Sequence, residues 1–304
     1  PHALGCGVEV PRLPWNLPLW SSLLVGHALR GGRVAVVAPT DETAPARSGI
    51  SLSRAQEVLA RMIVIPDLLA EPFAESRGLL KVGLYDPRVG VGDIPGKVRQ
   101  VVDTYRGEAW LAQLHGASEA ELSALLAVAD SLDGAGFRER YLEGQALDRP
   151  KLHMKAHLFA NREGWDQLVT RPEIAGFMSE YVRQRAIQVA ERGEDRDLTA
   201  MSEALRPATE RLFHAYERAA GPAVSERAAW YLVVGSHNQN YRSMALDGEV
   251  LMTVSGPRSL AGLADFYLIL GLSTWLDTPE DLEKYLPAAG NFFRRLSRWA
   301  QIVS

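Results

Sequence analysis

The sequence predicts an α/β fold, and three observations carry that prediction. Two short apolar runs read as strands: 33–39 by its length and β-branched content, and 79–85, ended by Asp86-Pro87. Helical periodicity precedes the first at 17–30, stopping at Gly31-Gly32, and separates the two at 51–76, where Pro66 forces a break or kink. A helix–strand–helix–strand order implies parallel strands with helices layered on the sheet. The composition, 47% hydrophobic and 23% charged over 304 residues, is that of a soluble globular chain with enough apolar residues for a sizeable core.

Taken in order, residues 1–14 read as irregular, with Gly5, Gly7, Pro11 and Pro14. Residues 40–48 form a polar loop, and 88–98 a loop punctuated by Gly and Pro. Residues 99–130 are mostly helical, most clearly 118–132, with a turn at 133–136. The run 151–160 alternates like a strand. Residues 164–221 read as a helical insertion with helices over 173–192 and 197–220. Its Arg and Glu recur at i+3 and i+4, as on a solvated helix face. The insertion is either a cover over a site or a structural elaboration. A strand at 228–234 feeds Gly235-Ser236, and 248–255 is its antiparallel or adjacent partner, carrying Glu249. Two helices, 258–275 and 279–302, close the chain. The second opens on Thr278-Pro279-Glu280-Asp281, an N-cap with Pro at the first helical position. Its face of Phe292, Phe293, Leu296, Trp299 and Ala300 should pack on the body, with Arg294, Arg295 and Arg298 outward.

The net charge of −4 and pI near 6.0 exclude a global basic field and make nucleic acid an unfavoured partner, leaving room for a local basic pocket. Lysine occurs only at 81, 97, 151, 155 and 284, so two lysines flank His153. Cys6 is the single cysteine and excludes an intrachain disulfide. No signal-peptide pattern is visible. The apolar stretch 260–276 carries Asp265 and is short for a membrane span, so it reads as a buried helix. A soluble or peripheral-membrane protein is expected, and the compartment stays open. The chain begins at Pro1 without Met and reads as a piece of a longer one.

The chemistry concentrates in two stretches. On a strand, His153 and Lys155 point to one face, a nucleophile or proton carrier beside a fixed positive charge. Gly235-Ser236-x-Asn238, at the end of an apolar run, presents hydroxyl, amide and backbone N–H donors to an anion. A His, a Lys, a Ser and an Asn converging on one spot suit a phosphate ester. His157 shares the predicted face of His153, and His237 sits inside the Gly-Ser run; both are read as supports behind the reacting groups. His2, His27, His115 and His214 read as structural or exposed. No metal-ligand set, nucleotide phosphate loop or dinucleotide fingerprint is present.

His153-x-Lys155 followed by Gly235-Ser236-x-Asn238-x-x-x-Arg242-Ser243 and then Glu249 resembles the half-site motif of the phospholipase D superfamily, over roughly 150–256. The resemblance implies a phospholipase D-like α/β/α fold, a layered mixed sheet flanked by helices. It makes 1–304 a single catalytic half-domain, the C-terminal half, with a helical insertion at 161–224 and C-terminal helices at 257–304. It implies a phosphodiesterase or phosphatidyltransferase that cleaves a phosphodiester, a phospholipid foremost, through a phosphohistidine intermediate, with no metal or other cofactor. His153 would be the catalytic imidazole, Lys155 would hold the phosphate charge, and Glu249 would fix the His153 tautomer. Ser236 and Asn238 would donate to phosphate oxygens while Gly235 lets the backbone approach. Arg242 and Ser243 would serve the loop. Ala160 stands where the family has Asp, a long segment separates the two motif halves, and only one His-x-Lys occurs. The first two departures read as a divergent subgroup with a helical insertion, and the third as a chain that holds one half of a site. Its second half-site would come from an N-terminal segment absent here or from a homodimer partner. The rival expectations are a nuclease-type phosphodiesterase and a non-catalytic phosphate-binding module. Peripheral membrane contact fits the first reading.

Overall fold

The structure, a computed structural model, describes residues 8–9, 16–17, 19–40, 59–60, 62–63, 79–90, 92–137, 152–191, 203, 206–215, 217–218, 230–236, 249–255 and 259–284. It is mixed α/β. Near the start, where irregular chain is predicted, Val8–Glu9 and Asn16–Leu17 pair as an antiparallel bridge. Helix α1 (Leu19–Leu29) follows and is stopped by Gly31, whose φ of 87° lies in the left-handed region that glycine reaches without steric cost.

The two predicted buried strands form and pair in parallel: β1 (Val34–Pro39) runs beside β2 (Leu80–Tyr85), Val34 opposite Leu80. Alternate residues of this pair serve two apolar layers. Val34, Leu80, Val82 and Leu84 pack with Val25 and Ala28 of α1. Tyr85, with Ala35 and Val37, faces the other way into the larger cluster. The sheet is thus covered on both faces, which is why β1 and β2 are apolar at nearly every position, Lys81 excepted, and do not alternate.

Helix α2 (Ile94–Gly107) begins inside the predicted 88–98 loop. The Pro and Gly there belong to its first turn: Asp93 caps it, accepting from the Gly96 N–H at 2.9 Å, and a proline in that turn needs no N–H partner. Helices α3 (Ala109–His115) and α4 (Glu119–Gly134) follow, separated by Gly116 at φ 62°. The Ser118 hydroxyl caps α4, accepting from the Glu121 N–H at 3.2 Å.

Strand β3 is shorter than the alternating run 151–160, covering Ala156–Ala160. The inserted helices α5 (Arg162–Val169) and α6 (Pro172–Glu191) come next, with further helix at 206–215. They are integrated with the core: Trp165, Leu168, Phe177, Met178, Tyr181 and Leu212 belong to the same cluster as Val101 and Tyr105 of α2. Strand β4 (Trp230–Gly235) pairs antiparallel with β3 on one side and with β5 (Leu251–Ser255) on the other.

Helix α7 (Leu260–Gly271) is shorter than the predicted 258–275. After it the chain turns into β6 (Ser273–Leu276), antiparallel to β2. Ser273 folds its hydroxyl back onto the Ile269 carbonyl at 2.7 Å, and Thr274 and Trp275 suit a strand. Helix α7 touches both sheets' layers. A Cβ on Gly262 would come within 2.5 Å of Leu232 of β4, and one on Gly271 within 2.7 Å of Val101. The Tyr181 hydroxyl donates to Asp265 of α7 at 2.7 Å, tying the insertion to it. Helix α8 (Pro279–Glu283) starts on the predicted cap, Thr278 accepting from the Asp281 N–H at 3.3 Å. The face of Phe292, Phe293, Leu296, Trp299 and Ala300 lies outside the described residues. Among the described residues the main strands fall into two three-stranded sheets, β1-β2-β6 and β3-β4-β5, where the resemblance implies one layered sheet.

Candidate functional site

The antiparallel ladder of the second sheet gathers three stretches that are far apart in sequence. Ala156 lies opposite Val234, and the Gly235 N–H donates to the Lys155 carbonyl at 3.2 Å, so pairing continues one residue beyond β3. Lys155 therefore sits opposite Gly235, on the face that carries His157 and Phe159 further along. His157 lies opposite Val233, its ring 6.2 Å from that of Phe159. His153 is exposed, on the segment 152–155 that leads into the strand. Strand alternation, the argument that put it on one face with Lys155, does not extend to it.

On the other side of β4, Gly235 lies opposite Leu251. The Ser236 hydroxyl donates to the Glu249 carboxylate and accepts from the Val250 N–H at 3.2 Å, while the Ser236 N–H donates to the Val250 carbonyl at 3.1 Å. A Cβ on Gly235 would sit 2.1 Å from the Val250 carbonyl oxygen, so the approach of β5 requires glycine there.

These bonds change the donor inventory. A hydroxyl has one proton, and that of Ser236 is directed at Glu249. The N–H groups of Gly235 and Ser236, expected as anion donors, are used within the ladder. The Glu249 carboxylate, expected on the ring N–H of His153, bonds Ser236, and among the described residues no hydrogen bond joins it to His153. Among the described motif residues, Lys155 supplies the basic side chain opposite Gly235. Asn238, His237, Arg242 and Ser243 lie outside the described residues. The structure thus brings together Lys155, Gly235, Ser236 and Glu249, with His153 two residues before Lys155.

Among the described residues, the groups with strongly displaced pKa values lie elsewhere, on α2, α3, α4, α6 and α7. His115, read from sequence as structural or exposed, is buried between the rings of Tyr105, Trp165 and Tyr267 at centroid distances of 5.8, 5.7 and 5.4 Å. Burial pushes it down to about 3, so it stays neutral. Glu121 is buried too, and burial pushes it up to about 7, against a smaller opposing pull from the Ser118 backbone N–H. A cleft of about 430 Å³ between α4 and α6, lined by Ser118, Glu121, Arg171 and Ser179 among others, borders that carboxyl. The sequence signal for this pair was local: Ser118-x-x-Glu121 is a capping box, and His115 ends a helix before glycine. Neither signal reports burial.

Among the described residues, no three His, Cys, Asp or Glu side chains converge as a metal site, and no helix is long and apolar enough to cross a membrane. Compared with protein-family models, curated proteins and solved structures, the chain matches none of them, so the resemblance to the phospholipase D superfamily rests on the motif residues alone.

Proposed function

We propose that this chain carries one half-site of a phospholipase D-type phosphodiesterase or phosphatidyltransferase, acting on a phospholipid or a similar phosphodiester. The observation that supports it is the β3–β4–β5 ladder, which sets Lys155 opposite Gly235 and joins Ser236 to Glu249, assembling motif residues from three separate stretches.

A phosphodiester resists attack because its charge repels nucleophiles and its alkoxide leaves poorly. In the proposed reaction an imidazole nitrogen forms a bond to phosphorus as the P–O bond to the leaving group breaks. A second imidazolium gives its proton to the departing oxygen. Water or an alcohol then attacks the phosphorus of the phosphohistidine, giving its proton to the second imidazole as the P–N bond breaks and the first imidazole leaves. His153 is the general acid if the nucleophile lies in another half-site. In a homodimer one copy serves each role. Lys155 neutralises the charge that accumulates on the equatorial oxygens. For Ser236 to donate to phosphate, its proton must first leave Glu249. With that bond in place, Ser236 orients Glu249.

The test is turnover of a soluble chromogenic phosphodiester by the protein and by His153→Ala. The variant should fall by a factor on the order of 10²–10⁴, the usual worth of a positioned acid or base. Full turnover in the variant would overturn the reading.

A further inference from the structure

The cleft between α4 and α6 has a volume of about 430 Å³, inside the span of about 300–1,000 Å³ typical of small-molecule sites, and none of the described motif residues lines it. Ala120 and Ala124 of α4 give it one small apolar wall, and Val169 and Ala175 another. Its polar lining is Ser118, Glu121, Thr170, Arg171 and Ser179. We propose that this cleft binds a small hydroxycarboxylate, its carboxylate held among Arg171, Glu121 and the first turns of α4 and α6, and its hydroxyl on Ser179. The site is separate from the phosphodiesterase reading and does not rest on it.

The polar groups favour an anion. Arg171 is half-buried, its Nε donates to the Gln167 carbonyl at 2.9 Å, and its two terminal nitrogens have no hydrogen-bond partner among the described residues. Such a fork matches a carboxylate. Both helices begin at the cleft, at Ser118–Glu121 and Arg171–Pro172, and the first turn of a helix attracts negative charge. A Cβ on Gly116 would come within 2.4 Å of the Val169 carbonyl oxygen, so these two beginnings lie close together. Glu121, 5% exposed, has no ion-pair partner among the described residues and keeps a proton to donate up to about pH 7. The titratable groups around it are Tyr105 of α2 and Tyr267 of α7, both kept neutral by burial, His115 of α3 against both rings, also neutral, and Arg171. Glu119, on its own helix, pairs with Arg106. An ammonium would meet a guanidinium and two positive helix ends, whereas a carboxylate meets donors. Two turns past Pro172, about 10 Å along α6, the Ser179 hydroxyl is shut off from water without a hydrogen-bond partner among the described residues. An orphaned hydroxyl is costly, and a second ligand oxygen at that distance relieves it. Thr170 is already committed, its hydroxyl donating to the Asp166 carbonyl at 2.8 Å.

The experiment is calorimetric titration of the whole protein with linear ω-hydroxycarboxylates, from hydroxybutanoate to hydroxyoctanoate, beside the plain carboxylates and the alkylamines of the same lengths. At least one hydroxycarboxylate should bind with a Kd on the order of 1 mM or tighter, as about ten heavy atoms allow. Its affinity should fall about tenfold per pH unit above about pH 7, where Glu121 loses the proton it donates. Arg171→Gln, at a half-buried position, should weaken binding at least about tenfold. Glu121→Gln keeps a donor and cannot ionise, so it should bind as wild type does at about pH 6 and lose the decline above about pH 7. Ser179→Ala should bind the hydroxycarboxylate no better than the plain one. Absence of hydroxycarboxylate binding, preference for the alkylamine, full affinity in Arg171→Gln, or a pH decline that persists in Glu121→Gln overturns the proposal. No turnover enters the titration, so its outcome is separate from that of His153→Ala.

Discussion

The two sheets of this molecule solve different problems. In β1-β2-β6 the central strand is buried on both sides, between α1 and the layer of α2 and α7, and its side chains are apolar at nearly every position. In β3-β4-β5 one face meets α7 through Leu232 and Gly262, while Phe159, Tyr231 and Leu251 on the other face are exposed. The described motif residues, His153, Lys155, Gly235, Ser236 and Glu249, belong to the second sheet or lie at its ends. Stability resides where both faces are covered, and the proposed chemistry is placed where one face and one end stay open.

This contrast can be broken by substitution. Leu84 is 0% exposed in the first sheet, and Leu84→Ala should cost about 2–5 kcal/mol in denaturant unfolding. A smaller loss there would mean that the first sheet is not the stabilising one. Next comes the pH dependence of the helical layer. Glu121, raised from 4.5 to about 7, is protonated in the folded chain while the unfolded chain ionises, so its contribution to stability falls as pH rises from about 4.5 to about 7. The full shift is on the order of 3 kcal/mol. His115, lowered to about 3 from 6.5, acts oppositely: the unfolded chain binds the proton first, so stability falls as pH drops below about 6.5. From these two groups alone, stability should be level between about pH 4.5 and 6.5 and decline on either side. Glu121→Gln should abolish the alkaline decline, as read by thermal unfolding across pH. Persistence of that decline in Glu121→Gln would assign it to another group.

A third substitution sharpens the comparison at the site. Gly235→Ala places a methyl against the Val250 carbonyl, where backbone must move, and should cost about 1–3 kcal/mol while disturbing the Ser236–Glu249 bond. Turnover should drop more than stability. The smallest effect is expected at the open face: Leu251→Ala should change stability by less than about 0.5 kcal/mol, since its side chain is already in water.

Much of this was legible in the sequence because it depends on local pattern. The strands at 34–39 and 80–85, the parallel pairing implied by their helical connection, the stop at Gly31 and the cap at Thr278 all follow from composition, spacing and turn chemistry. Other elements were misread where local pattern is ambiguous. The apolar run through 276 reads as one helix until β2 offers Ser273–Leu276 an edge to pair with. The Gly- and Pro-rich stretch near 93 reads as loop, since proline signals both a break and a helix start.

By itself, the sequence determined the α/β class, the existence of most helices and strands, and the residue types available for phosphate chemistry, because hydrophobic period and turn residues act within a few positions along the chain. Only the tertiary structure decided the rest. Register set Lys155 opposite Gly235, the ladder used the Gly235 and Ser236 N–H groups, and the Ser236 hydroxyl was directed at Glu249. Packing of α2, α3, α4, α5 and α7 placed His115 and Glu121 out of water. Those outcomes depend on contacts between residues distant in sequence, where the partner of a donor, or the water a carboxyl loses, is set by which elements meet.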